Sequence, residues 1–164
     1  MSIDRSSLTQ LSGPVHFMGI GGAGMRALAE ALIHGGIEVT GCDMAGGTPP
    51  ALARLGVTAE TGHSAEHANA IAALIITSAI PEDHPEIEAA RARGSPVVKR
   101  PQAVGAWVSG GKVGAGAGTH GKTSTTAIAT HVLEAAGLEP TGFVGGTVRA
   151  RGSKLRGGKG DVFA

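Results

Sequence analysis

The sequence predicts an α/β chain in two parts, a parallel-sheet domain over residues 1–108 followed by the start of a second α/β domain over residues 112–164. Three observations carry that expectation. A strand, a glycine-rich loop and an amphipathic helix follow one another near the N-terminus, and the same order returns after Gly111. Between them, Ala73-Leu74-Ile75-Ile76-Thr77-Ser78 is a continuous, largely aliphatic run of the kind that fills the middle of a parallel sheet. Hydrophobic residues make up 41% of the chain and charged ones 16%, which suits a buried core, and an aromatic content of 2% leaves the packing to aliphatic side chains.

The elements read in order as follows. Val15-His16-Phe17-Met18 is a strand that runs into Gly19-Ile20-Gly21-Gly22-Ala23-Gly24, after which Met25, Leu28, Ala29 and Leu32 recur at helical spacing. Gly35-Gly36 stops that helix, because glycine accepts the positive φ of a helix end. Ile37-Glu38-Val39-Thr40 gives a second strand ending at Asp43 and completes a β-α-β unit. Gly46 to Pro50 is a loop, Ala51–Leu55 a short helix, and Val57 marks a further strand. Beyond the aliphatic run, Pro85 opens a helix with Glu86 and Glu88 in its first turn and Arg91 and Arg93 in its last, matching the helix dipole. His84 precedes this helix, Val97-Val98 is a strand, and Ala103–Val108 is a short helix.

Ser109-Gly110-Gly111 is the candidate linker. Past it, Val113-Gly114-Ala115-Gly116-Ala117 reads as a strand, although each interior glycine costs roughly 0.5–1 kcal/mol relative to alanine. A helix over Lys122–Ala136 follows, with Ile128, Val132 and Leu133 on one face and Gly137 at its end. Phe143-Val144 is a strand. The basic, glycine-rich stretch from Arg149 to Lys159 then reads as solvated loop, and Val162-Phe163-Ala164 as a strand just beginning.

Both glycine loops have the chemistry of phosphate binding. Gly19, Gly21 and Gly24 occupy the three glycine places of a Rossmann-like dinucleotide fingerprint, where a diphosphate must come close enough to bond helix N-terminal amides. Asp43, at the end of the second strand, is placed to bond a ribose hydroxyl. The residues alone leave open a nicotinamide dinucleotide, a flavin dinucleotide or a nucleotide sugar. The second loop, Gly118-Thr119-His120-Gly121-Lys122-Thr123-Ser124, has phosphate-loop (P-loop) spacing from Gly116. Its amides and the Lys122 ammonium would offset the charge of a nucleotide triphosphate, and the Thr123 hydroxyl would sit on Mg²⁺.

Several function classes receive no support. A formal net charge of +1 argues against a nucleic-acid or membrane surface, and no aromatic residue interleaves with the basic stretch. Met1–Ser12 carries no basic-then-apolar leader, and no apolar run approaches the ~20 residues that cross a bilayer. Cys42, the single cysteine, permits no intrachain disulfide and fits a reducing, cytoplasmic setting as a small buried residue. The seven histidines show no metal-ligand spacing, so isolated surface or packing roles are expected for each, and no acid/base pair of carboxylates stands out.

Taken together, His16 to Met25, Thr77-Ser78-Ala79-Ile80-Pro81 and Gly118 to Ser124 resemble the Mur ligases of peptidoglycan synthesis, from about Val15 to the end of the chain. The resemblance implies a UDP-sugar-binding domain over 1–108 and the N-terminal part of a central ATP-binding domain over 112–164. It is strongest toward members that use ATP to join L-alanine to UDP-N-acetylmuramate through an acyl phosphate. On that mapping Gly19, Gly21, Gly22, Ala23, Gly24 and Asp43 face the UDP moiety, with His63 and Ser78 lining the same pocket. Gly118, Thr119, His120, Gly121, Lys122, Thr123 and Ser124 hold ATP, with Lys122 and Thr123 in the catalytic centre and Thr123 on the metal. The family's metal-binding glutamate follows a strand beginning near Val162-Phe163, so the chain alone is expected to lack turnover. His84 stands where the family commonly has a capping Asn, and a lost cap is worth about 1 kcal/mol. A nucleotide-sugar-binding module without catalysis, and a sibling ligase that adds a recycled tripeptide, are the alternatives. An oxidoreductase would rest on the first loop and Asp43 alone.

Overall fold

The computed structural model describes residues 8–148 and 153–164. They form two compact units, Met1–Trp107 and Val108–Ala164. Met1–Ser7 of the N-terminal segment read for a leader, and Arg149 and Arg151 of the basic stretch, lie outside the described residues.

The first unit is built on five strands, β1 (Val15–Met18), β2 (Val39–Asp43), β3 (Ala59–Thr61), β4 (Ala73–Ile76) and β5 (Val97–Lys99). Their order is β3-β2-β1-β4-β5 and every pairing is parallel. Parallel neighbours need a crossover between them, and the chain supplies α1 (Ala23–His34), α2 (Pro50–Ala53), a 3₁₀ turn (Ala65–Ala68) and α3 (Pro85–Ala92), with α4 (Arg100–Val108) after the last strand. Because side chains alternate along a strand, β1 sends Val15 and Phe17 to one face and His16 and Met18 to the other. The register sets His16 beside Thr40 and Leu74, and Met18 beside Cys42 and Ile76. Met18, Cys42, Leu74 and Ile76 pack with Ala68, Ile87 and Ala90 into a closed core under the 3₁₀ turn and α3. Each large aliphatic side chain buried this way contributes about 1.5–3 kcal/mol.

Several local expectations shift. The strand expected at Val57 lies at Ala59–Thr61, because Gly56 takes φ +83 and Val57 still bonds back to Leu52, closing the end of α2. The short helix expected over Ala51–Leu55 is Pro50–Ala53, with proline at its first position. The aliphatic strand ends at Ile76, since the Thr77 hydroxyl accepts from the Ala79 amide at 2.9 Å and turns the chain. The last helix of the unit starts at Arg100 rather than Ala103. His84 does not cost α3 its cap: its Nδ1 accepts from the Glu86 amide at 3.2 Å.

In the second unit β6 (Lys112–Val113) pairs in parallel with β9 (Val162–Phe163), and α5 (Lys122–Ala135) follows the glycine loop. The expected strand through Ala117 stops at Val113, since Gly114, Gly116 and the alanines between and after them bring little to pack, and pairing continues only as one bond from the Gly114 amide to the Phe163 carbonyl. The basic stretch is not all loop: β7 (Gly142–Val148) and β8 (Ser153–Arg156) form an antiparallel hairpin. Thr130 on α5 is buried with its hydroxyl on the Thr126 carbonyl, and a Cβ on Gly142 would lie 2.4 Å from that hydroxyl oxygen, so only glycine lets β7 approach. Ile128 and Val132, on the opposite side of α5, are 64% and 59% exposed. Among the described residues, no helix is long and apolar enough to cross a membrane.

Candidate functional site

In an open parallel sheet, ligands bind beyond the carboxyl ends of the strands where the strand order reverses. Here the order reverses between β1 and β4. Gly19–Gly24 leaves the end of β1, Asp43 ends β2, His63 follows β3, and Ser78 lies exposed in the turn after β4. All the residues expected around a nucleotide sugar therefore follow the same ends of the sheet.

The loop is shaped by its neighbours. The amides of Gly19 and Ile20 both donate to the Cys42 carbonyl, at 2.8 and 3.1 Å, and the Gly22 amide closes onto the Gly19 carbonyl at 3.1 Å. Gly19 takes φ +85, where a side chain would be strained, and a Cβ there would sit 3.1 Å from the Thr77 methyl group. Helix α1 then begins with Gly22 as a cap that has no side-chain bond, and its first turn contains no acid. The first amides of such a helix are open to an anion.

Asp43 organises this loop. Its Oδ2 accepts from the Gly21 amide at 2.8 Å and its Oδ1 from the Ala45 amide at 2.9 Å. A Cβ on Gly21 would lie 2.7 Å from Oδ2. The carboxylate thus holds the loop and keeps further lone pairs open to another donor. A residue the sequence reading missed stands on the other side. A Cβ on Gly24 would lie 2.7 Å from Arg100 Nη1, so the exposed Arg100 guanidinium covers the start of α1 as a cation beside its open first amides. Its position directly after β5, at a strand's carboxyl end, was the available signal.

His63, just beyond the end of β3, also reaches inward. Its Nδ1 lies 3.0 Å from Cys42 Sγ and 3.8 Å from Glu86 Oε2, at the edge of a buried group that the sequence scattered. His16, Cys42, His67 and Glu86 come together from β1, β2, the 3₁₀ turn and α3, which corrects the expectation of isolated histidines. Glu86 is fully buried. Burial alone would raise its carboxyl, but the adjoining His16 and, after it, His67 hold it below the ordinary carboxylate range. Burial, followed by the charge of Glu86, pushes the Cys42 thiol far above its ordinary range. Burial lowers His63 against the opposing pull of Glu86.

The second glycine loop is exposed throughout Gly118–Ser124. Gly118 takes φ +149 and Gly121 φ +81, and α5 starts at Lys122 with no side-chain cap and no acid in its first turn. Lys122 Nζ donates to the carbonyls of Gly118 and Thr119, so the lysine folds back over its own loop. His120 and Ser124 stay at the surface, and Gly145 on β7 comes close to the Thr123 hydroxyl. A cavity of about 410 Å³ between β6, β9 and the Thr125–Leu133 side of α5 is apolar, and none of Gly118–Ser124 lines it.

A model of the Mur ligase family, catalytic domain, matches residues 14–112. The chain belongs to the Mur ligase family. It is 42% identical over 166 residues to the UDP-N-acetylmuramate–L-alanine ligase of Arthrobacter sp. (strain FB24), covering 99% of this chain and 36% of that protein. Against the ligase of the same description from Anaeromyxobacter dehalogenans, identity is 43% over 164 residues, covering 99% of this chain and 35% of the relative. This Mur ligase chain spans about a third of the length of these curated relatives. Among solved structures, the UDP-N-acetylmuramate-alanine ligase of Thermotoga maritima superposes with a TM-score of 0.81 at 32% identity, over 93% of this chain and 36% of that one. The UDP-N-acetylmuramate:L-alanyl-gamma-D-glutamyl-meso-diaminopimelate ligase of Neisseria meningitides gives 0.79 at 30% identity, over 92% of this chain and 51% of that one.

Proposed function

We propose that the first unit of this Mur ligase chain binds UDP-N-acetylmuramate, and that the second carries the start of the ATP site of a ligase joining L-alanine to that nucleotide sugar. The observation that carries the reading is the convergence of Gly19–Gly24, Asp43 and Arg100 at the reversal point of a parallel sheet. The open amides of α1 and the Arg100 guanidinium would take the diphosphate, which is doubly suited to a helix N-terminus and a bidentate cation. Asp43 would accept from the ribose while holding Gly21 in place. Ser78 and His63 would line the sugar side.

In the second unit, the exposed loop, the left-handed Gly121 and the uncapped, acid-free start of α5 fit a triphosphate. Lys122 would exchange the carbonyls of Gly118 and Thr119 for phosphate oxygens, and Thr123 would offer its hydroxyl to Mg²⁺. When bound, ATP supplies the phosphoryl group that activates a carboxylate toward an amine. The likeness to the Neisseria tripeptide ligase favours one second reading, the same nucleotide sugar with a peptide in place of L-alanine.

Titration calorimetry on the whole chain tests the first part. UDP-N-acetylmuramate is expected to bind at one site, with a nicotinamide dinucleotide giving no heat. Equal or tighter binding of the dinucleotide would replace this reading with a dehydrogenase-type site. Binding of the nucleotide sugar without any binding of Mg²⁺-ATP would favour a nucleotide-sugar module instead.

A further inference from the structure

The buried group of His16, Cys42, His67 and Glu86 is left unused by the nucleotide-sugar reading, and its chemistry is that of a metal site. Each residue offers one donor atom, and the four donors lie within 4.8 Å of one another. His16 Nε2 stands 3.3 Å from Glu86 Oε1, His67 Nδ1 stands 3.5 Å from Glu86 Oε2, and Cys42 Sγ stands 3.5 Å from Glu86 Oε1. A tetrahedral zinc ion with metal–donor distances of about 2.0–2.3 Å sets its donors roughly 3.3–3.6 Å apart. These contacts use both Glu86 oxygens and already lie near that spacing, and the widest pair of donors, up to 4.8 Å apart, must draw in by roughly 1 Å to close the group on an ion.

A second observation comes from the outer nitrogens of the two imidazoles. His16 Nδ1 is 2.9 Å from the Thr40 hydroxyl, and His67 Nε2 is 3.3 Å from a carboxylate oxygen of Glu60. If those nitrogens carry the hydrogens, His16 Nε2 and His67 Nδ1 present lone pairs inward. These two inward atoms are both buried and have no hydrogen-bond partner. An oriented outer nitrogen with a free inner one is the arrangement that metal-ligating histidines use. Two lone pairs facing a carboxylate repel it, so the group needs protons or a cation. The Ser64 amide, donating to Glu86 Oε2 at 3.2 Å, fixes the carboxylate further.

We propose that His16, Cys42, His67 and Glu86 form a closed, four-coordinate site for a borderline divalent metal, zinc foremost. Two nitrogens, one thiolate and one carboxylate suit zinc rather than magnesium or calcium, which prefer oxygen alone. The ion displaces the Cys42 thiol proton to solvent on binding. With all four places filled by protein, the ion is structural: it ties the 3₁₀ turn and α3 to β1 and β2, beneath the strand end that bears Asp43.

The test uses the whole chain, stripped with a chelator and titrated with Zn²⁺ and, in parallel, with Co²⁺. The expected result is one zinc per chain, with cobalt giving the ligand-field bands of a tetrahedral site and a thiolate-to-cobalt charge-transfer band. Cys42→Ser should abolish the charge-transfer band, and His67→Asn should weaken binding by at least roughly 10–100-fold, the order lost when even an outer partner of a ligand is removed. His131→Gln, in the second unit, should change nothing. Failure of the unmutated chain to bind zinc, an octahedral cobalt spectrum, or binding that survives Cys42→Ser unchanged would overturn the proposal. The unmutated chain's own spectrum keeps it refutable even where a variant fails to fold.

Discussion

Asp43 holds two backbone amides with one carboxylate, and this gives the sharpest expectations for single residues. Because Oδ2 accepts from the Gly21 amide at 2.8 Å, Asp43→Asn exchanges a charged acceptor for a neutral one. Hydrogen bonds to charged groups contribute about 1.5–3 kcal/mol, so nucleotide-sugar affinity should fall by roughly 10–100-fold in calorimetry, with the far-ultraviolet dichroism unchanged. Gly21→Ala should fail in the same assay for a different reason, since its Cβ would lie 2.7 Å from the carboxylate and push it off the loop. At this scale the glycine fingerprint and Asp43 were legible because they are close in sequence and follow a strand. Glu86 was not legible as a partner of three histidines. Its companions come from three other elements, and only the sheet register sets His16 and Cys42 on one face, two rows apart.

The helix caps and glycine approaches decide the elements. His84 accepts from the Glu86 amide and so caps α3 in the manner of asparagine. His84→Ala should therefore lower the unfolding free energy by about 1 kcal/mol, read as an earlier urea midpoint, while His84→Asn should stay near the original value. In the second unit, β7 rests on α5 only because Gly142 has no side chain to meet Thr130. Gly142→Val should destabilise that unit by about 1–3 kcal/mol, the usual cost of forcing atoms into a filled contact, and hydrogen exchange across β7 should speed accordingly. The central strands and α1 could be read from periodicity because their apolar faces are unbroken. The β7–β8 hairpin could not, since glycine and basic residues conceal its alternation, and β3 could not be placed to the residue because its short pattern is mostly polar.

Two compact units, each with its own glycine loop, make up the whole molecule. Their ligands should act on them separately. A saturating nucleotide sugar stabilises the state it binds by RT ln(1 + [L]/Kd), about 2.7 kcal/mol at a hundredfold excess over Kd. Hydrogen exchange with UDP-N-acetylmuramate should slow in β1, α1 and β2, and Mg²⁺-ATP should slow it at the start of α5 in the unmutated chain but not in Lys122→Ala. The order of two glycine loops, each leading into a helix, was readable from the sequence. The apolar cavity behind the second loop was not, because it is made by the pairing of β6 with β9, residues far apart in the chain. The most direct test of the central claim is calorimetric titration of the whole chain with UDP-N-acetylmuramate, alongside Asp43→Asn. One-site binding that the substitution weakens at least tenfold is predicted; no binding by the unmutated chain, or binding indifferent to Asp43, would contradict the account.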